Sequence, residues 1–368
     1  MNIRRTGSVD LPLHNGRAPE WLYRKMKTLG GEIAYLIIED KGKAGLLERL
    51  SNPIWFQGLG CLLGFDWHSS GLTTVTMSAL REELDEHDIG FKIVGGKGNF
   101  RDIPHRIEEQ AGRMGISDAR ISEFMKASKM TAKVDGTAIQ DGFSLYHHAI
   151  VLADDGGWAV IQQGMRAEKR LARRYHWYSG TYGNFTVEPE QNVIGEPSDT
   201  RVLNTVDVDA LNNQKSLMDM ICDRNFINMM KSESIGSYSL DHWTTGEHDS
   251  FASPVSVSFP LHVNWKLLNA LYEARLRRYE ELLLFPGVGP AAVRALALAA
   301  ELVYGTPVAW KDPIKYAYAH GGKDGVPFPV NRAAYDNTIK ELRQVIEATG
   351  SPAEEKKHAL KRLANLSD

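Results

Sequence analysis

ELLLFPGVGPAAVRALALAAELVYG, residues 281–305, reads as a helix-hairpin-helix. One helix runs to Phe285, the hairpin is Pro286-Gly287-Val288-Gly289, and a second Ala/Leu-rich helix starts at Pro290. Gly287 and Gly289 permit positive φ and a close approach of phosphate to backbone. Pro290 suits the first helical position, where its missing N–H is not needed. The amides from Gly287 to Ala291 lie at the positive end of a helix dipole, an anion site before any side chain is counted. Val288 is placed to plug the two helices together, and Arg294 lies one turn further along. Such a unit grips a nucleic-acid backbone without reading bases. An αα-hairpin with a Gly-rich turn is the plainer alternative, and the full FPGVGPAAVRALA pattern favours DNA contact.

Working outward, 368 residues exceed one ordinary core, and 43% hydrophobic with 24% charged residues describes a globular chain. Two cysteines, Cys61 and Cys222, exclude a disulfide scaffold and a four-cysteine metal site. The first residues lack the apolar run of a signal peptide, and no apolar stretch of about 20 residues occurs, so a cytoplasmic protein is expected. With a net charge of −3, backbone binding must come from local basic surface, such as RAEKRLARRYH at 166–176. A solvated helix face is the blander account of that run.

The expected fold class is α+β. Residues 1–180 form a mixed α/β domain with β-hairpins, 181–255 a variable and partly helical linker or insertion, and 256–368 an all-α helix-hairpin-helix domain. Helix is expected over 17–50 with a Gly-Gly break, over 105–130, over 166–177, within 207–231, over 262–305, and as a pair over 331–366. The apolar and β-branched runs of 54–80 predict a β-hairpin, and 91–100 a strand ending in a glycine loop. FSLYHHAIVLADDGGWAVIQQG, 143–164, predicts a hairpin about Asp155-Gly156. With those as the two turn residues, His148 faces Gln163.

Four constellations carry candidate chemistry. On a strand, Asp66 and His68 project together as oxygen and nitrogen ligands for Mg²⁺, Mn²⁺ or Zn²⁺; a capped turn is the alternative. His147-His148 with Gln162-Gln163 form a polar end to an apolar hairpin, read as a site or as a satisfied core histidine. In TAKVDGTAIQDG, Lys133 polarises a phosphate beside Asp135 and Asp141, or the segment is a solvated loop. Arg173-Arg174-Tyr175-His176-Trp177 clamps phosphate and stacks bases, or ends a packed helix. His320-Gly-Gly-Lys323 is a polar glycine loop that meets phosphate or simply turns.

At these residues the chain resembles a prokaryotic family known as domain of unknown function 763. The resemblance rests on RRTGSVDLPLHNGRAPEWL, NPIWFQGLGCLLGFDWHSSGLTT, AKVDGTAIQDGFSLYHH, WAVIQQGM, ARRYHW, LLLFPGVGPAAVRALALAAELVYG and YAHGGKDGVPFPV. It runs over nearly the full length, and only 180–255 departs freely. The resemblance implies a DNA-associated protein, and a metal-dependent nuclease acting on DNA structures is the expectation. Asp66, Asp141 and His148 are the expected ligands of Mg²⁺ or Mn²⁺, with Lys133, Asp135, His68 and Gln163 completing the catalytic set. DNA is expected at Gly287, Val288, Gly289, Ala291, Arg294, Arg173, Arg174 and Lys323, with a homodimer supplying two hairpins. The competing class is a helix-hairpin-helix DNA glycosylase using Asp312; Ala291 stands where strand-cleaving members carry lysine, and the cluster cysteines are absent. A non-catalytic DNA-binding protein is the third class.

Overall fold

The computed structural model describes residues 20–65, 71–87, 89–98, 100–181, 183–187, 192–194, 201–226, 264–314 and 332–364. Asp66, His68, His320 and Lys323 lie outside them. The fold is α+β, built on an antiparallel sheet in the order β1-β3-β4-β5-β6. The strands are β1 (Phe91–Lys97), β3 (Ser144–Ala153), β4 (Trp158–Arg166), β5 (Leu171–Tyr178) and β6 (Asn192–Ile194); β2 (Ile139–Gln140) pairs separately with β7 (Leu203–Asn204).

Both sheet faces are buried, which is why β3 and β4 read as nearly continuous apolar runs rather than strict alternations. Val94, Ile150, Leu152, Val160 and Trp177 join one core with α4 (Ile103–Arg113), α5 (Asp118–Lys133), α6 (Leu211–Cys222), α7 (Trp265–Ala274), α8 (Tyr279–Leu284) and α9 (Pro290–Tyr304). Ile93, Ala149, Val151, Ala159 and Ile161 join the other, with α1 (Glu20–Ser51), α2 (Pro53–Leu62), α3 (Gly71–Glu86), α10 (Arg332–Ala348) and α11 (Ala353–Ala364). The hairpin helices α8 and α9 and the terminal pair α10–α11 therefore sit on opposite faces of one sheet. No described helix is long and apolar enough to cross a membrane.

Several expectations change. The stretch 54–80 is helical, not a β-hairpin. Asn52 caps α2 by accepting from the Ile54 and Trp55 amides, with Pro53 at its first position. All ten residues of α2 are buried, so no helical periodicity shows. In α3 the buried residues Leu72, Thr73, Thr76, Met77, Leu80 and Leu84 recur at helical spacing despite the β-branched content. The break in α1 falls at Gly42, with φ 71°, while Gly30 stays helical beneath Leu80 of α3. Residues 166–177 are a short turn and then β5, not a helix; Arg170 turns the chain with φ 54°. In the 143–164 hairpin, Ala153 donates to the Gly157 carbonyl around a three-residue loop whose Gly156 has φ 92°. The extra loop residue slips the register by one, so His148 faces Gln162 and His147 faces Gln163.

Candidate functional site

A cleft of about 1030 Å³ opens between the end of α5, the segment that follows it, and the start of α9. Two helices meet here at a tight turn. Phe285 follows α8, Gly287 takes φ 86°, Gly289 is the N-cap of α9, and Pro290 is its first residue. Only Gly287 uses positive φ; Gly289 is extended, and a Cβ there would meet nothing within 4 Å. No side chain caps the α9 amides. Val288 is 3% exposed and plugs the pair.

The hairpin is docked by its carbonyls. Lys133, the last residue of α5, donates to the Val288 carbonyl at 2.6 Å. Gln140 Nε2 donates to the Pro290 carbonyl at 2.8 Å, and Arg294 Nε donates to Gln140 Oε1 at 2.7 Å. Lys133 and Asp135 do not share an extended face, because the chain passes from α5 into a π-helical turn, Val134–Ala138. Such turns widen a helix and re-aim its side chains. Burial lowers the Lys133 pKa.

Behind the cleft, Ser128 Oγ lies 2.8 Å from His148 Nε2, and His148 Nδ1 lies 2.7 Å from Gln162 Oε1. Gln162 Nε2 donates to Asp135 Oδ2 at 2.5 Å, and Trp177 Nε1 donates to the same oxygen at 2.8 Å. Asp135 Oδ1 is buried without a hydrogen-bond partner. These partners fix the protons. Trp Nε1 only donates, so Oδ2 is an acceptor; Gln162 presents its amide nitrogen there and its oxygen to His148. His148 therefore carries its proton on Nδ1 and accepts from the Ser128 hydroxyl at Nε2. Burial drives the His148 pKa down to about 4, against the Gln162 hydrogen bond, keeping the ring neutral. Burial also raises Asp135 well above the ordinary carboxylate range, and the Asp141 charge adds to this.

Asp141 and Asp312 are joined through Arg173. The guanidinium donates to Asp141 Oδ2 at 2.9 Å and to both Asp312 oxygens at 3.0 Å. It stacks over the Phe143 ring at 4.7 Å. Tyr175 also donates to Asp141 Oδ2, at 2.7 Å, and the Phe143 amide to Oδ1 at 3.0 Å. Burial raises the Asp141 pKa, and the Arg173 charge works against it.

The opposite sheet face holds a second polar group. Arg174 donates to Thr73 Oγ1 at 3.1 Å, Gln57 Oε1 at 2.9 Å and His176 Nε2 at 2.8 Å, while His176 Nδ1 donates to the Leu50 carbonyl at 2.9 Å. His147 is buried with neither ring nitrogen hydrogen-bonded, and burial, reinforced by His148, Arg81 and Arg174, takes its pKa to about 3.

Of the residues expected from sequence, Lys133, Asp141, His148 and Arg294 line one cleft, with Asp135 behind it. Gln163 is buried and lies opposite His147 in the strand register, on the sheet face away from the cleft. Arg173 and Arg174 are wholly buried in internal networks, so neither is a surface clamp. Ser128, Lys129, Gln140 and Arg201 carry no local signal; each is an ordinary polar residue in its own element, and only folding converges them, while Gln162 takes the place expected of Gln163 opposite His148. Mg²⁺ or Mn²⁺ does not fit the described donors. Both Asp141 oxygens and both His148 nitrogens are engaged, and among the described residues no three His, Cys, Asp or Glu side chains are grouped to hold a metal.

The family model described as protein of unknown function (DUF763) matches residues 7–330, and the chain belongs to that family. No curated protein and no solved structure matches it.

Proposed function

We propose that this member of the family is a DNA nuclease that holds the sugar-phosphate backbone at the α8–α9 hairpin and cuts it in the adjoining cleft. One observation carries this reading: the start of α9, through Pro290 and Arg294, walls the same cleft as Lys133, Asp141 and His148. Lys129, Lys133, Arg201 and Arg294 line it against the single carboxylate Asp141 among the described lining residues, a balance that favours a polyanion. The glycosylase reading is weaker because both Asp312 oxygens are held by Arg173, leaving no free base. Asp66 and His68, the other expected ligands of Mg²⁺ or Mn²⁺, lie outside the described residues, and the EDTA arm of the test decides whether cleavage needs a metal. A homodimer would set two weak hairpins on one branched substrate.

The test incubates the purified chain with end-labelled single-stranded, duplex, flapped and uracil-containing DNA in Mg²⁺, Mn²⁺ or EDTA. Expected are salt-sensitive binding that weakens several-fold in Arg294→Ala, and strand cleavage. Binding without cleavage supports the non-catalytic class. Abasic-site formation lost in Asp312→Asn supports the glycosylase. Absence of binding overturns the proposal.

A further inference from the structure

The chain Ser128–His148–Gln162–Asp135 runs from a cleft-lining hydroxyl to a fully buried carboxyl. Ser128 sits on α5 and lines the cleft, and its proton points at the unprotonated nitrogen of His148. The ring is held by Gln162, and Gln162 by Asp135 at 2.5 Å, so the base is oriented by a group that is itself oriented. A nucleophile bonded to a base that a third group aligns is the arrangement that activates serine on unrelated folds. Lys129 lies beside Ser128 in sequence and lines the same cleft, as do Lys133 and Arg201. They supply positive charge where a phosphoryl group develops negative charge. A buried hydrogen-bond chain serving only to satisfy its members has no need to end at the wall of a cation-lined cleft.

We infer that Ser128 is a nucleophile, with His148 as its base and Gln162 and Asp135 as positioning residues, and that its substrate is a phosphodiester. The DNA part of this rests on the function proposed above. In the first half-reaction the Ser128 oxygen attacks phosphorus while its proton passes to His148 Nε2. The phosphorus–oxygen bond to the departing sugar breaks, and the proton travels from the imidazolium through cleft water to that oxygen. In the second half-reaction water attacks the phosphoserine and gives a proton to His148. The Ser128 oxygen leaves and takes that proton back. The sum is hydrolysis, with no electron transfer and no co-reactant beyond water. This route uses none of the expected metal ligands except His148, and His148 acts in it as a base.

The first experiment treats the wild-type chain with a fluorophosphonate probe and maps the adduct by mass spectrometry. Labelling at Ser128 is expected, suppressed by single-stranded DNA and reduced at least about tenfold in His148→Gln, which leaves the hydroxyl without its base. Failure of Ser128 to label overturns the proposal. The second experiment quenches end-labelled DNA reactions in detergent. A covalent protein–DNA species that persists in EDTA is expected, absent in Ser128→Ala, with cleavage slowed roughly a thousandfold. Retention of a covalent species by Ser128→Cys, as a thiophosphoryl adduct, separates lost chemistry from lost folding. Cleavage that is unchanged in Ser128→Ala overturns the nucleophile and leaves the nuclease standing. Labelling of Ser128 in a chain that cuts no DNA sustains the nucleophile and overturns DNA as its substrate.

Discussion

Arg173 carries the heaviest electrostatic duty of any single residue described. Its guanidinium is wholly buried, and it is the charge that lets Asp141 and Asp312 approach each other across the fold. The planar fork matters, because a lysine could reach one carboxylate but not present parallel N–H groups to the second. Truncating one member of such a group leaves the others buried and uncompensated. Arg173→Met is expected to destabilise the chain by about 3–5 kcal/mol, read as a lower urea midpoint. Adding Asp141→Asn to that variant should restore part of the loss, because one orphaned charge is gone; a double variant no more stable than the single one would show that Asp141 is not ionised. At this scale the sequence told only half. His148 stood out as a polar end to an apolar hairpin and Asp141 only as part of an Asp-Gly turn, yet the Arg173 that pairs with Asp141 comes from β5, and Gln162 replaced Gln163 as the partner expected for His148. Ser128 looked like any helical serine, because what distinguishes it is His148, twenty residues away on β3.

Among the elements, the turn between α8 and α9 was the most readable, and α2, α3 and β5 the least. Gly287, Val288 and Pro290 each have a local reason to be where they are, so the motif survives inspection one residue at a time. Gly287→Ala forces a Cβ into a left-handed backbone and is expected to cost about 1–2 kcal/mol. The variant should remain folded by circular dichroism and bind single-stranded DNA several-fold more weakly; unaltered affinity would separate hairpin geometry from binding. The loss at α2 was different in kind. A helix buried on all sides shows no stripe, and its residues pass for a strand unless Asn52-Pro53 is weighed as a cap. β5 misled in the opposite direction. Ala, Arg and Lys favour helix, and the burial of Arg173 and Arg174 is made possible by acceptors on α2, α3 and distant loops, which no local window contains. The 143–164 hairpin was recognised from Asp155-Gly156 and its apolar arms, but one additional loop residue reassigned the cross-strand partners.

At the scale of the molecule, the two buried histidines tie stability to pH. His147 and His148 have pKa values of about 3 and about 4, against 6.5 for the exposed ring. Between those values the unfolded chain takes up protons that the folded chain refuses, so their contribution is complete above pH 6.5 and declines as the pH falls. At pH 5 each costs about 2 kcal/mol relative to pH 7. Asp135 acts in the opposite sense, since its raised pKa lets the folded state gain the proton first. Urea unfolding at pH 7 and pH 5 should therefore show a smaller loss in His147→Leu than in the wild-type chain; equal losses would mean that the ring is charged or reached by water in the fold. The same layered plan sets a schedule for synthesis. Leu342, Ile346 and Ala359 complete the core that α1 and α2 begin, and Arg49 pairs with Glu341. On the ribosome, the surface of α1 and α2 that α10 and α11 cover stays open until those two helices have left the exit tunnel, so this layer closes after the sheet has been made. A stop codon placed before α10 would release a chain with its first helices still exposed, a natural target for chaperone and protease.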